Sequence, residues 1–162
     1  MTVENGSGLA GADSYTAVSV ADGYHLLRGN DSWGKAGIED KSATLIRACD
    51  YLERMYGCLW PGARISRIQR LSFPRYGMEE LWSGAIPLWL IEAQCEAALL
   101  ELMDPGILAA SESEGGYLKE EREGEVTRRY AAGAETVRRF PSIYRILAAH
   151  IRCPAQVLLE RV

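Results

Sequence analysis

The chain has 162 residues, a length typical of a single domain, and 48% of them are hydrophobic while 25% are charged. A chain of this size and composition can bury a substantial core, which excludes disorder throughout. The formal net charge is -4, which argues against general binding to nucleic acid and confines any such binding to a local basic strip.

The cysteines and the apolar segments indicate an intracellular protein without a membrane anchor. No two of the four cysteines have the Cys-x-x-Cys spacing of a zinc or redox site, so we expect buried free thiols in a reducing compartment. Residues 1–6 lack the features of a signal peptide. The most apolar window, residues 85–91, is much shorter than the roughly 20 residues of a membrane helix.

The chain is predicted to begin with an arm and a short helix. Residues 1–17, which include a stretch rich in Gly, Ala and Ser, form the irregular arm. Ser19 as the cap and Asp22 at the third helical position predict the start of the helix. Gly29–Asn30 predicts its end, because both residues tolerate the left-handed conformation. The predicted inward face of this helix consists of Val20, Tyr24 and Leu27.

The middle of the chain is predicted to contain a loop, a long helix and a basic segment. Residues 31–37 form the loop, which holds Trp33, and the helix runs from about Glu39 to Tyr56. Its apolar stripe consists of Leu45, Cys49, Leu52 and Tyr56. The basic segment, Arg64–Arg75, is interrupted at Pro74.

Two further helices are predicted in the second half. The first begins at Pro87 and runs to about Met103, and it is apolar nearly all round, so we expect it at the centre of the fold. The second spans about Ser142–Ile151 and leads into a tail over residues 152–162. Its predicted inward residues are Ile143, Ile146, Leu147 and Ile151.

The segment Tyr117–Tyr130 supports two interpretations. Its many Glu, Lys and Arg residues favour a charged helix by propensity. Gly124, however, divides the segment into two short arms, and Val126 and Thr127 favour strand in the second arm. The residues alone leave both a helix and a two-stranded hairpin open.

No catalytic or metal-binding signature is found. The chain lacks a phosphate-binding loop, a nucleophile elbow and a zinc-protease motif, and its carboxylates, histidines and cysteines are not clustered at ligand spacing. His25 and His150 are best interpreted as surface or partly packed helix residues. We therefore expect no enzyme activity, no metal and no cofactor.

A basic strip is the strongest candidate for nucleic-acid binding. Arginines that contact phosphates beside aromatics that stack on bases are typical of single-strand binding. The strip contains Arg64, Arg67, Arg70 and Arg75, with Phe73 and Tyr76 beside them. The alternative is that these arginines pair with acidic helices or line a subunit interface. The tryptophans Trp33, Trp60, Trp82 and Trp89 are equally compatible with interface positions and with loops held onto the core.

The order of several short motifs resembles a known family. The motifs are Gly8–Tyr15, Ser19–Asp22, Arg28–Asn30 with Trp33, Ala43–Leu52, Phe73–Gly77, Ile86–Pro87, Lys119–Gly124 with Tyr130, and Phe140–Pro141. They resemble the phage and prophage proteins labelled DnaT-like single-stranded-DNA-binding proteins. That family is in turn similar to the head–tail connector adaptors of tailed phages.

The resemblance implies a fold as well as a function. We expect a mainly α protein, a small helical bundle with a short β-hairpin near residues 117–130 and extended N- and C-terminal arms. The hairpin is implied by the family and not by propensity. The single domain would comprise an arm over residues 1–17, a core over residues 18–151 and a tail over residues 152–162.

The acidic charge and the resemblance together predict a structural adaptor. It would form a dodecameric ring in the virion neck, between the portal protein and a tail-side stopper or tail-terminator protein, after synthesis in the bacterial host cytoplasm. DNA would pass through the lumen without sequence-specific binding, because an acidic surface repels phosphates. Predicted interface residues are Lys119, Arg122, Arg128, Arg129, Val157, Leu158 and Leu159.

The alternative prediction is a single-stranded-DNA-binding accessory protein of phage replication. The family label carries this function directly. Its predicted contacts with the strand are Arg64, Arg67, Arg70 and Phe73.

Overall fold

The computed structural model describes residues 1–78, 84–109, 111–112, 121–123, 126–128, 136–137 and 140–152. Five helices lie within these ranges: α1 Val18–Leu27, α2 Asp31–Lys35, α3 Ile38–Tyr56, α4 Leu88–Met103 and α5 Pro141–Leu147. The strands there are β1 Ala63–Arg64, β2 Arg75–Tyr76, β3 Ser111–Glu112, β4 Glu121–Glu123, β5 Val126–Arg128 and β6 Thr136–Val137. The mainly α fold class with a short hairpin is confirmed. Within the described ranges, no helix is both long and apolar enough to cross a membrane.

Helices α3 and α4 form the centre of the core, and α5 packs against α4. The predicted stripe of α3 is fully buried, and α4 buries residues around most of its circumference. Gln94 of α4 is 0% exposed, and its amide donates to the Leu45 carbonyl of α3 at 2.8 Å. The predicted central position of α4 is therefore confirmed, and so is the predicted burial of Ile143 and Leu147 on α5.

Helix α1 begins earlier and faces differently than the sequence predicts. Its N-cap is Ala17, without a side-chain cap, so the predicted cap at Ser19 is wrong. The buried residues are Ala21 and His25, whereas Leu27 is 85% exposed. Polar pairs set this orientation, because the Tyr24 hydroxyl donates to Glu96 of α4 at 2.7 Å. A pattern of apolar residues contains no information about such a partner.

Residues 31–37, predicted to be a loop, contain helix α2 instead. Its Trp33 is 1% exposed and packs on His25, with ring centroids 4.4 Å apart. The indole N–H donates to Asp22 Oδ1 at 2.8 Å, and Lys41 Nζ donates to the same oxygen at 2.9 Å. Asp22 therefore joins three helices and does not reach back to a helix cap. The long-range bond compensates for the weak helix propensity of this short segment.

The N-terminal arm is irregular, as predicted, but it packs on the core of its own chain. Glu4 is 3% exposed, and its carboxylate accepts bonds from the backbone N–H groups of Gly6, Gly8 and Leu9. The side-chain oxygen of Gln94 accepts a bond from the Tyr15 backbone N–H at 3.0 Å, and its side-chain amide donates to Ser14 Oγ at 2.7 Å. These bonds hold residues 14 and 15 against α4.

The two-stranded interpretation of the segment near residues 117–130 is confirmed. Strands β4 and β5 pair antiparallel, with Glu121 opposite Arg128 and Glu123 opposite Val126. Strands β3 and β6 form a second antiparallel pair. Helix propensity is a weak preference that backbone pairing overrides here. The predicted tail over residues 152–162 lies outside the described residues, except for Arg152.

Candidate nucleic-acid interface

The basic strip lies in the segment between α3 and α4, which we call the basic loop (residues 63–77). Its two ends pair as the antiparallel strands β1 and β2, with Ala63 opposite Tyr76 and Arg64 opposite Arg75. Gly62 and Gly77 flank this ribbon with φ angles of 71° and 78°. These are left-handed conformations that residues with a Cβ rarely adopt. The two glycines therefore let the chain close the ribbon.

Aromatic rings fasten the basic loop to the core. Phe73 is 0% exposed and contacts Trp60 and Trp89, with centroid distances of 5.5 and 5.6 Å. Trp60 is itself 3% exposed. Phe73 therefore has no free ring face for a base, unlike the arrangement expected from the sequence. Trp33 and Trp60 hold their segments on the core, and Trp82 lies outside the described residues.

Buried polar groups fix the shape of the loop from beneath. Gln69 is 3% exposed, and its amide donates to the carbonyls of Leu71 (2.8 Å) and Pro74 (3.1 Å). Glu53 of α3 accepts from both the N–H and the hydroxyl of Ser72, at 2.9 and 2.8 Å. The same carboxylate accepts a bond from the Tyr15 hydroxyl. Burial, followed by the charge of Glu53, raises the pKa of Tyr15 well above 10.0.

Arg75 is a structural residue and not a surface contact. It is 8% exposed, and its guanidinium donates to four backbone carbonyls. The acceptors are Pro61 (2.7 Å), Gly62 (2.8 Å), Ser72 (3.1 Å) and Trp60 (3.3 Å). Burial lowers the pKa of Arg75, and the positive charges of Arg64 and Arg152 lower it further. The charges of Arg64 and Arg152 thus both act on Arg75.

Arg70 is neutralised by partners of its own chain. Its guanidinium pairs with Asp13 at 3.2 Å and Asp50 at 3.3 Å, and it donates to the Ala12 carbonyl at 3.2 Å. The alternative interpretation of the strip, arginines that bridge to acidic groups, therefore holds for this residue. Arg70 joins the N-terminal arm to α3.

The remaining members of the strip face solvent. Arg64 and Arg67 are exposed, and within the described ranges neither has a carboxylate partner. Tyr76 is 52% exposed and Ile68 is 73% exposed. The loop thus combines two unpaired guanidinium groups with an accessible aromatic ring on a fixed backbone. Of the two aromatic residues in the predicted strip, Tyr76 is exposed and Phe73 is buried.

For the other predicted contact residues, the structure describes at most the strand in which each lies. Arg122 lies in β4 opposite Thr127, and Arg128 lies in β5. Lys119, Arg129, Val157, Leu158 and Leu159 lie outside the described residues, so their roles stay predictions.

The histidines have packing partners. His25 is 0% exposed, and its Nδ1 lies 2.9 Å from the Asn30 amide. Burial lowers the pKa of His25, and nearby Glu96 opposes this effect. His150 stacks on Trp89 with ring centroids 4.3 Å apart. Across the described ranges, no three His, Cys, Asp or Glu side chains are placed to hold a metal ion.

A cleft of about 350 Å³ lies between α1 and α2, apart from the basic loop. Its lining residues are Asp22, Leu26, Gly29, Asn30, Asp31, Trp33, Gly34, Lys35 and Lys41. The two lysines are matched by two aspartates, and Lys41 pairs directly with Asp22. The charges that line the cleft therefore balance, in contrast to the surplus of positive charge in the basic loop.

Comparison with known proteins gives one match. The family model described as "Putative DnaT-like ssDNA binding protein" matches residues 1–162. No curated protein matches, and no solved structure matches.

The predicted role as a head–tail connector adaptor is wrong, because the matching family is one of single-stranded-DNA-binding proteins. The error has two physical sources. The net charge of -4 is an average over the chain, whereas phosphate binding depends on local charges such as those of Arg64 and Arg67. The N-terminal arm, predicted to be extended, is packed on the core of its own chain and is therefore not free to reach a neighbouring subunit. The portal, tail and ring partners have no support, and the virion-neck location, which depended on them, is untested.

Proposed function

We propose, because the chain belongs to the DnaT-like ssDNA-binding family, that it binds single-stranded DNA through the basic loop. The observation that carries this proposal is the exposure of Arg64, Arg67 and Tyr76 in the basic loop. The protein would act as a non-catalytic accessory of phage replication in the cytoplasm of the bacterial host.

Different exposed side chains would contact the phosphate backbone and the bases of the DNA strand. Arg64 and Arg67 would contact phosphates, because guanidinium groups form charge-assisted bonds with phosphate oxygens. Tyr76 would stack on a base, and Ile68 adds exposed apolar surface to the same loop. Stacking of this kind is worth about 1–3 kcal/mol for each base and tolerates any base. The site therefore suits binding without strong sequence preference.

The same chemistry favours single strands over duplex. A base within a duplex is paired and stacked, so its face is not available to Tyr76. Two exposed arginines contribute little to the affinity for a duplex backbone, and the net negative charge opposes it. Selectivity for single strands thus depends on the tyrosine, whereas the salt dependence depends on the arginines.

The rigid support of the loop reduces the cost of binding. The hydrogen bonds of Gln69, Glu53 and Arg75 hold the backbone in one shape before DNA binds. A preorganised site loses less conformational entropy on association than a mobile one.

Fluorescence anisotropy with a labelled oligonucleotide across a salt series tests the proposal. Single-stranded DNA should bind more tightly than the duplex of the same sequence. Replacing both Arg64 and Arg67 by Ala should weaken binding and reduce the slope of log K against log salt by about 1.4, since each phosphate contact contributes about 0.7. Tyr76→Ala should weaken binding to single strands while it leaves the salt slope unchanged.

Lys35→Ala is the matched control, because Lys35 is an exposed cation on α2, away from the basic loop. It should bind like the wild type. Equal binding of the wild type and the Arg64/Arg67 double variant would refute the proposed site. The absence of single-strand binding by the wild type would refute the function.

A further inference from the structure

The turn that follows α5 lies against the segment that leads into the basic loop. The backbone N–H of Arg152 donates to the Leu59 carbonyl at 2.8 Å. Leu59 directly precedes Trp60, whose carbonyl accepts from the Arg75 guanidinium. One backbone bond and the neighbouring bond from the Arg75 side chain thus connect the end of α5 to the base of the ribbon, although the two are distant in sequence.

A stacked ring pair holds this turn in place. His150 lies parallel to Trp89, with centroids 4.3 Å apart and an angle of 5° between the planes. Trp89 in turn contacts Trp60 and Phe73, at 5.4 and 5.6 Å. The aromatic cluster that fastens the basic loop therefore also fixes the turn that carries Arg152.

The Arg152 side chain is exposed, and within the part of the chain that the structure describes it has no carboxylate partner. Arg64 and Arg152 both lie close enough to Arg75 to act on its charge. Arg75 itself is buried and uses its donors on backbone carbonyls, which leaves the exposed Arg64 and Arg152 as the accessible cations near it. An anion near this cluster would be attracted by several positive charges at once.

We infer that Arg152 is a further phosphate-binding residue for single-stranded DNA and that His150 is its positioning residue, held by Trp89. This inference rests on the proposed function of the basic loop. It extends the path of the strand from the ribbon across to the end of α5. A folded domain is needed to form the site, because the contributing segments are distant in sequence and are brought together by the aromatic cluster and the bond from Arg152 to Leu59.

The test compares variants of the full chain in the same anisotropy assay, after thermal melts show each variant to be folded at the assay temperature. Arg152→Ala should weaken single-strand binding about fivefold, the upper range for an exposed charge pair. It should also reduce the salt slope by about 0.7. Arg152→Lys should retain the wild-type slope, because it retains the charge.

A double-mutant cycle tests the role of His150. His150→Ala should weaken binding. The double variant His150→Ala/Arg152→Ala should bind no more weakly than Arg152→Ala, because both changes remove the same contact between Arg152 and the strand. His150→Phe retains a ring on Trp89 and should bind like the wild type. A purely structural role would lower the melting temperature of His150→Ala without this coupling to Arg152.

The outcomes separate the two proposals. Wild-type affinity and slope in Arg152→Ala, with weakened binding in the Arg64/Arg67 double variant, would overturn the role of Arg152 alone. Unchanged binding in both would overturn the site as a whole. Additive losses from His150→Ala and Arg152→Ala would overturn the positioning role.

Discussion

Replacing Arg75 by Met tests whether a buried guanidinium maintains the shape of the basic loop. Met fills a similar volume but donates no hydrogen bond, so four backbone carbonyls lose their donor. The bonds to Ser72 and Trp60 are buried. A bond from a charged donor contributes roughly 1.5–3 kcal/mol. At the lower limit, the two buried bonds alone contribute about 3 kcal/mol, which is a large share of the stability of a typical domain.

Urea denaturation followed by tryptophan fluorescence measures this loss, since Trp60 lies beside the site. We expect Arg75→Met to lower the free energy of unfolding by about 3 kcal/mol with little change in the m-value. Arg75→Lys should lie between Met and the wild type, because an ammonium group has only three donors. The control Arg64→Met replaces an exposed arginine in the paired strand, and its free energy of unfolding should stay within about 0.5 kcal/mol of that of the wild type. A loss below about 1 kcal/mol for Arg75→Met would refute the proposed support.

Three further predictions concern buried groups. Burial lowers the pKa of His25 below 6.5. Just below that pH, His25 therefore binds a proton in the unfolded chain but not in the folded chain. Stability should therefore fall as the pH drops below 6.5, by up to about 1.4 kcal/mol for each unit, and the fall should be shallower in His25→Gln when unfolding is measured at several pH values. Gln94→Leu should cost about 2 kcal/mol in urea denaturation, because it leaves buried partners in the arm and α3 unsatisfied; a loss within 0.5 kcal/mol, as expected for a neutral surface change, would contradict this. In a Cys153→Ser background, a thiol reagent should modify the exposed Cys58 quickly in the native protein. Cys49 and Cys95 should react only on unfolding, because burial raises the pKa of both thiols, that of Cys95 to about 12. Rapid modification of all three would contradict the packing.

The long helices could be predicted from the sequence, because their apolar patterns match the surfaces that they bury. The stripe of α3 and the apolar character of α4 both lead to the observed core. The short α1 and α2 could not be placed in this way. Their orientation depends on single long-range bonds, from Tyr24 to Glu96 and from Trp33 to Asp22, which a local pattern does not reveal.

The position of the candidate site could be predicted from the sequence, but its detail could not. The density of arginines pointed to the basic loop, and the structure shows that Arg64 and Arg67 are exposed there. The other residues of the predicted strip differ in burial: Phe73 and Arg75 are buried and support the loop from within, whereas Tyr76 faces solvent. Alternation of side chains along the short ribbon gave a possible signal for this division. Arg152 had no signal in the sequence, because only the folded chain brings it to the loop.

Photo-cross-linking is the most direct test of the claim that the basic loop holds single-stranded DNA. The full-length protein would be irradiated with a 5-bromodeoxyuridine-substituted oligonucleotide, and mass spectrometry would identify the cross-linked residue. The account predicts a cross-link at Tyr76 that is lost in Tyr76→Ala and retained in Lys35→Ala. Cross-links confined to other segments, such as the β4–β5 hairpin, with none in residues 63–77, would contradict it.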